Sequence, residues 1–361
     1  MPPMRAPRTA PALLCLLAAG AFLAGCGGGA GEDESTVAPA SAESRPAPPA
    51  SGFPSAKGRT LREVLKAADG PTELVVSPAA EVFYPGVNRY PFGVADRDSG
   101  PVDDAEVALY FAKVPEPKPG AKSKSGNRGQ LAKAQEQALD RPAVGPFPAA
   151  IETLATKPRF VSATAEDPES ARVVYSTQLN LPSEGEWRIA AILREDGELK
   201  GTSSLPSAVV GEFHRVPRPG ERAPRIHTPT AKDVGGDLSK ITTRTPPDTQ
   251  NKVDYAEALG KEPIVLLFAT PQFCQSRVCG PVVDVAEQAK SEYGDEAAFI
   301  HMEIYNGNDP GLGVRPQVRA FHLPTEPYLF TIDRRGVVRD AIEGAFGLEL
   351  MHEAVDKAIA P

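Results

Sequence analysis

An antiparallel β-sandwich followed by an α/β domain is the architecture this 361-residue sequence predicts. Three observations predict it. Between residues 61 and 215, short β-prone runs are separated by turn residues, the signature of antiparallel strands. After Val216-Pro217-Arg218-Pro219-Gly220 the pattern changes to strands alternating with helical segments, which is an α/β layout. The 38 prolines fall largely outside any periodic apolar pattern, so they mark linkers and loops of a multidomain chain.

Residues 1–25 read as a signal peptide, with Arg5 and Arg8 at the start and a short apolar core from Leu13 to Leu23. That core is too short to span a bilayer, and no later run of 18 apolar residues supplies a spanning helix. The leader ends in Leu23-Ala24-Gly25-Cys26, which resembles the lipobox of bacterial lipoproteins. The resemblance implies that Cys26 is lipidated and holds the protein to membrane lipid on the extracytoplasmic side of the bacterial cell membrane. Several acyl chains are implied, because one chain is only a marginal anchor. An ordinary cleaved signal is the alternative. Cys15 leaves with the leader, so Cys274 and Cys279 remain for each other in an oxidising compartment. Residues 26–60, rich in Gly, Ala, Pro, Ser and Glu, bury too little apolar surface to fold and are expected to be a disordered tether. A net charge of −8 argues against nucleic acid as a partner, since phosphate binding needs a basic patch.

The first folded region, 61–215, has strand-like runs at Glu73–Val76, Tyr90–Val94, Glu106–Phe111, Arg172–Thr177 and Trp187–Ile192. Asp96 to Gly100 and Glu184-Gly185 read as the turns between them. Leu181-Pro182-Ser183-Glu184-Gly185-Glu186-Trp187, followed by a strand, resembles the penultimate hairpin of extracellular immunoglobulin-like modules, which implies an immunoglobulin-like β-sandwich. Trp187, the only tryptophan, is expected in its core. An insertion at about 115–141 carries Lys118, Lys122, Lys124, Arg128 and Lys133 with little apolar content. It is expected to be solvated and mobile, with contact to anionic headgroups as the other reading. No cluster with metal-ligand spacing and no nucleophile with a base occurs in this region, and no pattern there names a ligand for the sandwich.

The second folded region, 216–361, is expected to run as a short helix at Asp254–Leu259, a buried strand at Ile264–Phe268, the cysteine segment and a helix at Val282–Lys290. Then come a strand at Ala298–Ile304, a short helix at Pro316–Phe321, strands at Tyr328–Ile332 and Gly336–Arg339, and a helix at Leu348–Ile359. Here the chain resembles the thioredoxin superfamily, especially its membrane-anchored extracytoplasmic thiol-disulfide oxidoreductases and the peroxiredoxin-like branch. Pro219-Gly220-Glu221-Arg222-Ala223-Pro224, the strand Pro263–Ala269, the cysteine pair, and Pro327-Tyr328-Leu329-Phe330-Thr331-Ile332-Asp333-Arg334-Arg335-Gly336 carry the resemblance. It implies a thioredoxin-like domain in which Glu326-Pro327 is a cis bond facing the cysteines and Pro327 shapes a substrate groove. Pro324, in Leu323-Pro324-Thr325, is a second candidate.

The pair itself departs from that pattern, being Cys-x-x-x-x-Cys preceded by Phe273 where the family has Cys-x-x-Cys preceded by tryptophan. Helical residues three apart have Cα atoms about 5 Å apart, which suits a disulfide; residues five apart lie about 8.6 Å apart and face away. Both cysteines therefore cannot be helical while bonded. Either Cys274 lies in the loop with Cys279 in the first helical turn, or Pro281 opens the helix and both cysteines precede it, or the helix start unwinds on oxidation, as in peroxiredoxins with this spacing.

The resemblance implies thiol-disulfide exchange with protein thiols or disulfides, with Cys274 as the nucleophile activated by a helix N-terminus and Cys279 as the resolving thiol. No cofactor is expected. The alternatives are a scaffold with a structural disulfide, a peroxidase, and a copper chaperone in which Cys274, Cys279 and His322 ligate a soft metal. The peroxidase pattern lacks its threonine, since Pro271 stands three residues before Cys274. His301, in an apolar strand, is expected to pack in the core.

Overall fold

The computed structural model describes residues 42–98, 100–116, 127–211 and 215–361. The predicted signal peptide, Cys26 and the lysines at 118, 122 and 124 lie outside them. Apolar residues in the strands of the first half form two sheets around a shared core. One sheet runs β1 (Gly70–Pro71), β10 (Glu198–Thr202), β9 (Gly185–Glu195), β5 (Glu106–Lys113) and β6 (Val144–Pro148), with β11 (Ala208–Val210) also on β9. The other runs β2 (Val75–Pro78), β3 (Gly86–Asp96), β8 (Val173–Leu181) and β7 (Ala150–Thr153), with β4 (Gly100–Pro101) on β3. All pairings but β1 with β10 are antiparallel. Tyr90, Phe92 and Tyr175 from one sheet meet Leu109, Phe111, Ile189 and Leu193 from the other in one cluster, so the predicted sandwich is present.

Trp187 sits in that core, edge-on to Phe111 at 5.4 Å, with its indole N–H donating to the Ser183 carbonyl at 2.9 Å. Trp187→Ala is expected to lower unfolding stability by about 3–5 kcal/mol, read from urea denaturation midpoints. A loss under about 1 kcal/mol would remove the indole from the load on the core.

Strands β5 and β9 are apolar on both faces, and this explains an error in the expected tether. Ala108, Tyr110, Ala190 and Ile192 face away from the shared core and need a cover. Phe53, Ala56 and helix α1 (Leu61–Leu65) supply it, and the Tyr110 hydroxyl donates to the Pro54 carbonyl at 2.8 Å. Arg45 exchanges backbone hydrogen bonds with Ile151 at 2.8 and 2.9 Å. Residues 42–60 are therefore ordered chain, not the disordered tether expected for 26–60. The insertion needs a similar correction. Helix α2 (Asn127–Ala138) forms within it, with Ala134 and Ala138 packed on Val114 and Arg62 paired to Glu136 and Asp140. Two alanines four apart make a buried stripe that mean hydropathy does not register.

The second half contains α3 (Tyr255–Ala258), β12 (Ile264–Phe268), α4 (Cys279–Tyr293), β13 (Ala298–Met302), α5 (Pro316–Ala320), β14 (Tyr328–Ile332), β15 (Val338–Glu343) and α6 (Leu348–Ile359). The sheet order is β13-β12-β14-β15, with β12 and β13 parallel and the rest antiparallel. This is the α/β layout expected of a thioredoxin-like domain. Every residue of β12 is buried, because alternate side chains serve two layers. Val265 and Leu267 join the cluster of α4 and α6, while Ile264, Leu266 and Phe268 join Tyr255, Phe321 and Phe330 on the other face. The Pro219–Pro224 stretch runs beside the edge, with Gly220 N–H donating to Val338 and Ala223 N–H to Gly336. Among the described residues no helix is long and apolar enough to cross a membrane.

The two halves are not joined as beads on a string. The described residues fall within one compact unit, Ser41–Pro361. An arm of the sandwich, residues 154–172 between β7 and β8, lies along α4. Lys157 N–H donates to Gln288, Ser162 to Asp284, and Ala171 N–H to the Arg277 carbonyl. A Cβ on Gly280 would stand 2.8 Å from the Thr164 carbonyl, so glycine permits this approach at the helix start.

Candidate functional site

Strand register decides what meets the cysteines. Phe268, the last residue of β12, pairs with Met302 on the parallel side and with Tyr328 on the antiparallel side. The chain leaving β12 toward Cys274 therefore passes between Glu303, just beyond β13, and Glu326-Pro327, just before β14. The Glu326–Pro327 bond is cis, and that before Pro324 is not. Phe273 packs edge-on to Tyr305, with centroids 6.3 Å apart.

Cys274 lies in the loop and Cys279 is the first residue of α4, so in the reduced protein the helix does not wait for Pro281 to open it. Pro281 sits inside the first turn and does not open the helix. Both thiols are free and buried, Cys274 at 5% exposure and Cys279 at 0%, so Cys274 is the less deeply buried of the two. The two sulfurs and a Glu326 carboxylate oxygen lie within 4.8 Å of one another. Ser276 Oγ is 3.3 Å from Cys274 Sγ.

The environment separates the two thiols electrostatically. Cys274 is pulled down to about 6 by the hydrogen bond from Cys279, with further help from Ser276 and the N–H groups of Cys279 and Val278 at the helix start; burial opposes this. Cys279 is pushed well above the ordinary thiol value by burial, then by its hydrogen bond with Cys274 and the charge there. Glu326, half-buried, is pushed up to about 7 by burial, then by Cys274 and Glu303. Glu303 is fully buried and takes hydrogen bonds from Thr243 N–H at 2.7 Å and Thr243 Oγ at 2.5 Å.

The structure brings Cys274, Cys279 and Pro327 to one end of the sheet, and it corrects the metal alternative. His322 is exposed and outside the cluster; Glu326 takes the third position. The reason is geometric, since the short α5 ends at Ala320 and His322 turns outward at φ 54°. Glu326 carries one signal in the sequence, an acidic residue bordering an apolar strand, which does not by itself point to the sulfurs. Arg277 has no signal along the chain. It adopts φ 57° and reaches Glu169 at 3.1 Å and Asp167 at 3.5 Å, pinning the cysteine loop to the sandwich arm.

Behind the site, His301 packs in the core as expected. It meets Asp248 at 2.8 Å and the Ala269 carbonyl at 3.1 Å. Burial opposes its charge, but Asp248 outweighs burial and raises His301 to about 9; Asp248, also opposed by burial, is held well below the usual carboxylate range by His301. The histidine contribution to stability is therefore full below its ordinary value of 6.5 and is lost as pH rises through about 9. The aspartate contribution is full above its ordinary 3.8 and is lost only in strong acid. Urea midpoints of the protein and of His301→Asn are expected to converge between pH 6.5 and 9. A difference independent of pH across that window would contradict the pairing.

The chain matches no protein-family model and no curated protein. Among solved structures it is similar to a thioredoxin-like superfamily protein at 15% identity, over 30% of this chain and 87% of that one, with a TM-score of 0.25. It is also similar to a thiol:disulfide interchange protein of the thioredoxin family from Chlorobium tepidum at 18% identity, over 40% of this chain and 98% of that one, with a TM-score of 0.28.

Proposed function

We propose that this chain performs thiol-disulfide exchange with protein partners through Cys274 and Cys279. The observation that carries the reading is the convergence of two buried thiols, one in a loop and one opening a helix, within 4.8 Å of each other at one end of the sheet. Cys274 thiolate attacks a partner disulfide, forming a mixed disulfide and releasing one partner sulfur, which takes up a proton. Cys279 then loses its proton and attacks Cys274 Sγ, releasing the second partner thiol. Two electrons pass from the protein to the partner, whose disulfide becomes two thiols, and the protein ends with a Cys274–Cys279 bond. Pro327, just before β14 at the same sheet end, is read as the residue that shapes the partner's binding groove. With dithiothreitol as reductant, the protein is expected to accelerate reduction of insulin disulfides, and Cys274→Ser to return the rate to that of dithiothreitol alone. Equal rates with and without the unmutated protein would sink the reading.

The remaining parts of the proposal rest on sequence. Lipidation of Cys26 at the motif Leu23–Cys26 would hold the protein on the extracytoplasmic face of the bacterial membrane, where disulfide partners are found. In detergent phase separation the protein is expected in the detergent phase and Cys26→Ser in the aqueous phase; no difference would remove the anchor. The sandwich is read as immunoglobulin-like, supported by its two mainly antiparallel sheets around Trp187.

A further inference from the structure

We propose that the reduced cysteine pair and Glu326 form a zinc-binding site that disulfide formation dismantles. The three ligand atoms, one sulfur from each cysteine and a carboxylate oxygen, lie within 4.8 Å of one another. Points so spaced share a centre no more than about 2.8 Å from each, against zinc distances of about 2.3 Å to thiolate and about 2.0–2.2 Å to carboxylate. Closing that gap takes a contraction of about half an ångström or slightly more, within the reach of side-chain rotation. The ligands come from three places that the fold already holds together: a loop, the first turn of α4, and the residue before β14.

Ligand chemistry selects the ion. Two thiolates exclude magnesium and calcium, which take oxygen ligands. They suit zinc and cuprous copper, and the hard carboxylate favours the divalent ion of that pair. Three protein ligands leave the fourth tetrahedral position for water or a partner group, the arrangement of an open zinc site. The half-buried Glu326 marks the side on which that position meets solvent. Ser276 Oγ, 3.3 Å from Cys274 Sγ, steadies the first sulfur. Zinc occupying the site engages both thiolates, so the metal and a partner disulfide compete for the same sulfurs. Oxidised glutathione would convert the two thiols to a disulfide with formation of two reduced glutathione molecules, removing both sulfur ligands. The site depends on the pair being reducible and not on exchange activity.

The test uses the full chain, reduced, stripped with chelator and freed of disulfide substrate. Cobalt(II) is expected to bind at one ion per chain with a thiolate-to-cobalt charge-transfer band, and zinc to displace it with a Kd below about 1 μM. Cys274→Ser and Cys279→Ser are each expected to weaken that band strongly. Glu326→Gln, nearly isosteric, should keep the band and weaken zinc binding by about tenfold or more, while His322→Ala leaves affinity unchanged. Oxidised glutathione should release the metal. The proposal is overturned if the reduced chain binds neither ion, if Glu326→Gln, shown to be folded by circular dichroism, binds zinc as tightly as the unmutated protein, or if the loss appears with His322→Ala instead. Because no disulfide substrate is present, such a failure leaves the exchange reading standing.

Discussion

Cys279→Ser is expected to turn the protein into a trap, accumulating a dithiothreitol-sensitive mixed disulfide with a disulfide-bonded partner, while Cys274→Ser forms none. The asymmetry follows from burial and charge. Cys274 retains slight exposure and a depressed thiol, whereas Cys279 is sealed and its thiol is raised by burial. Removing the second sulfur leaves the first attack intact and stops the resolving step. The same asymmetry gives a pH dependence. Iodoacetamide labelling of Cys274, followed by peptide mass spectrometry, should fall away as pH drops through about 6, while Cys279 stays unlabelled at neutral pH. Adducts on Cys279 rather than Cys274 would reverse the assigned roles.

The second large effect is on stability. Asp284, on α4 one turn beyond the cysteine end, pairs with Arg244 at 2.8 Å, and both side chains are buried. Arg244 also donates to the Phe160 carbonyl at 2.6 Å and the Pro246 carbonyl at 2.7 Å, and Asp284 accepts from Ser162 N–H at 2.8 Å and Ser162 Oγ at 3.0 Å. The network ties the cysteine helix to the sandwich arm. Asp284→Ala strands a guanidinium without its counter-ion and is expected to cost about 3–5 kcal/mol in urea unfolding. Replacing both partners with apolar residues of similar volume should recover much of the loss, because no unpaired buried charge remains. Equal damage from the single and double changes would show that shape rather than charge holds the arm on α4.

The α/β half was legible because its strands are short apolar runs bounded by turn residues. Ile264–Phe268 and Tyr328–Ile332 have the expected ends, and α6 does as well. Helix α4 begins three residues earlier than expected, since Gly280 and Pro281 look like punctuation but sit in the first turn. In the sandwich, β6 and β7 were invisible because prolines break Val144–Pro148 and β7 has four residues. The ordered chain from residue 42 has no periodic signal, because Phe53 and Ala56 are lone apolar residues in a proline-rich stretch. Their value comes from the two-faced β5 and β9, which begin 50 or more residues away. The site divides the same way. Cysteine spacing and the Glu326-Pro327 step can be read along the chain, whereas Glu326 facing the sulfurs, and Arg277 held by Asp167 and Glu169, depend on strand register and domain packing.

The central claim is that the Cys274–Cys279 bond cycles. Equilibrating the protein in graded dithiothreitol buffers and counting alkylated thiols by gel shift measures its reduction potential. A midpoint well above about −300 mV is the expected result, because an exchange-active pair must be reducible by biological thiols. A pair that stays bonded to below about −300 mV would be a structural staple and would contradict the account.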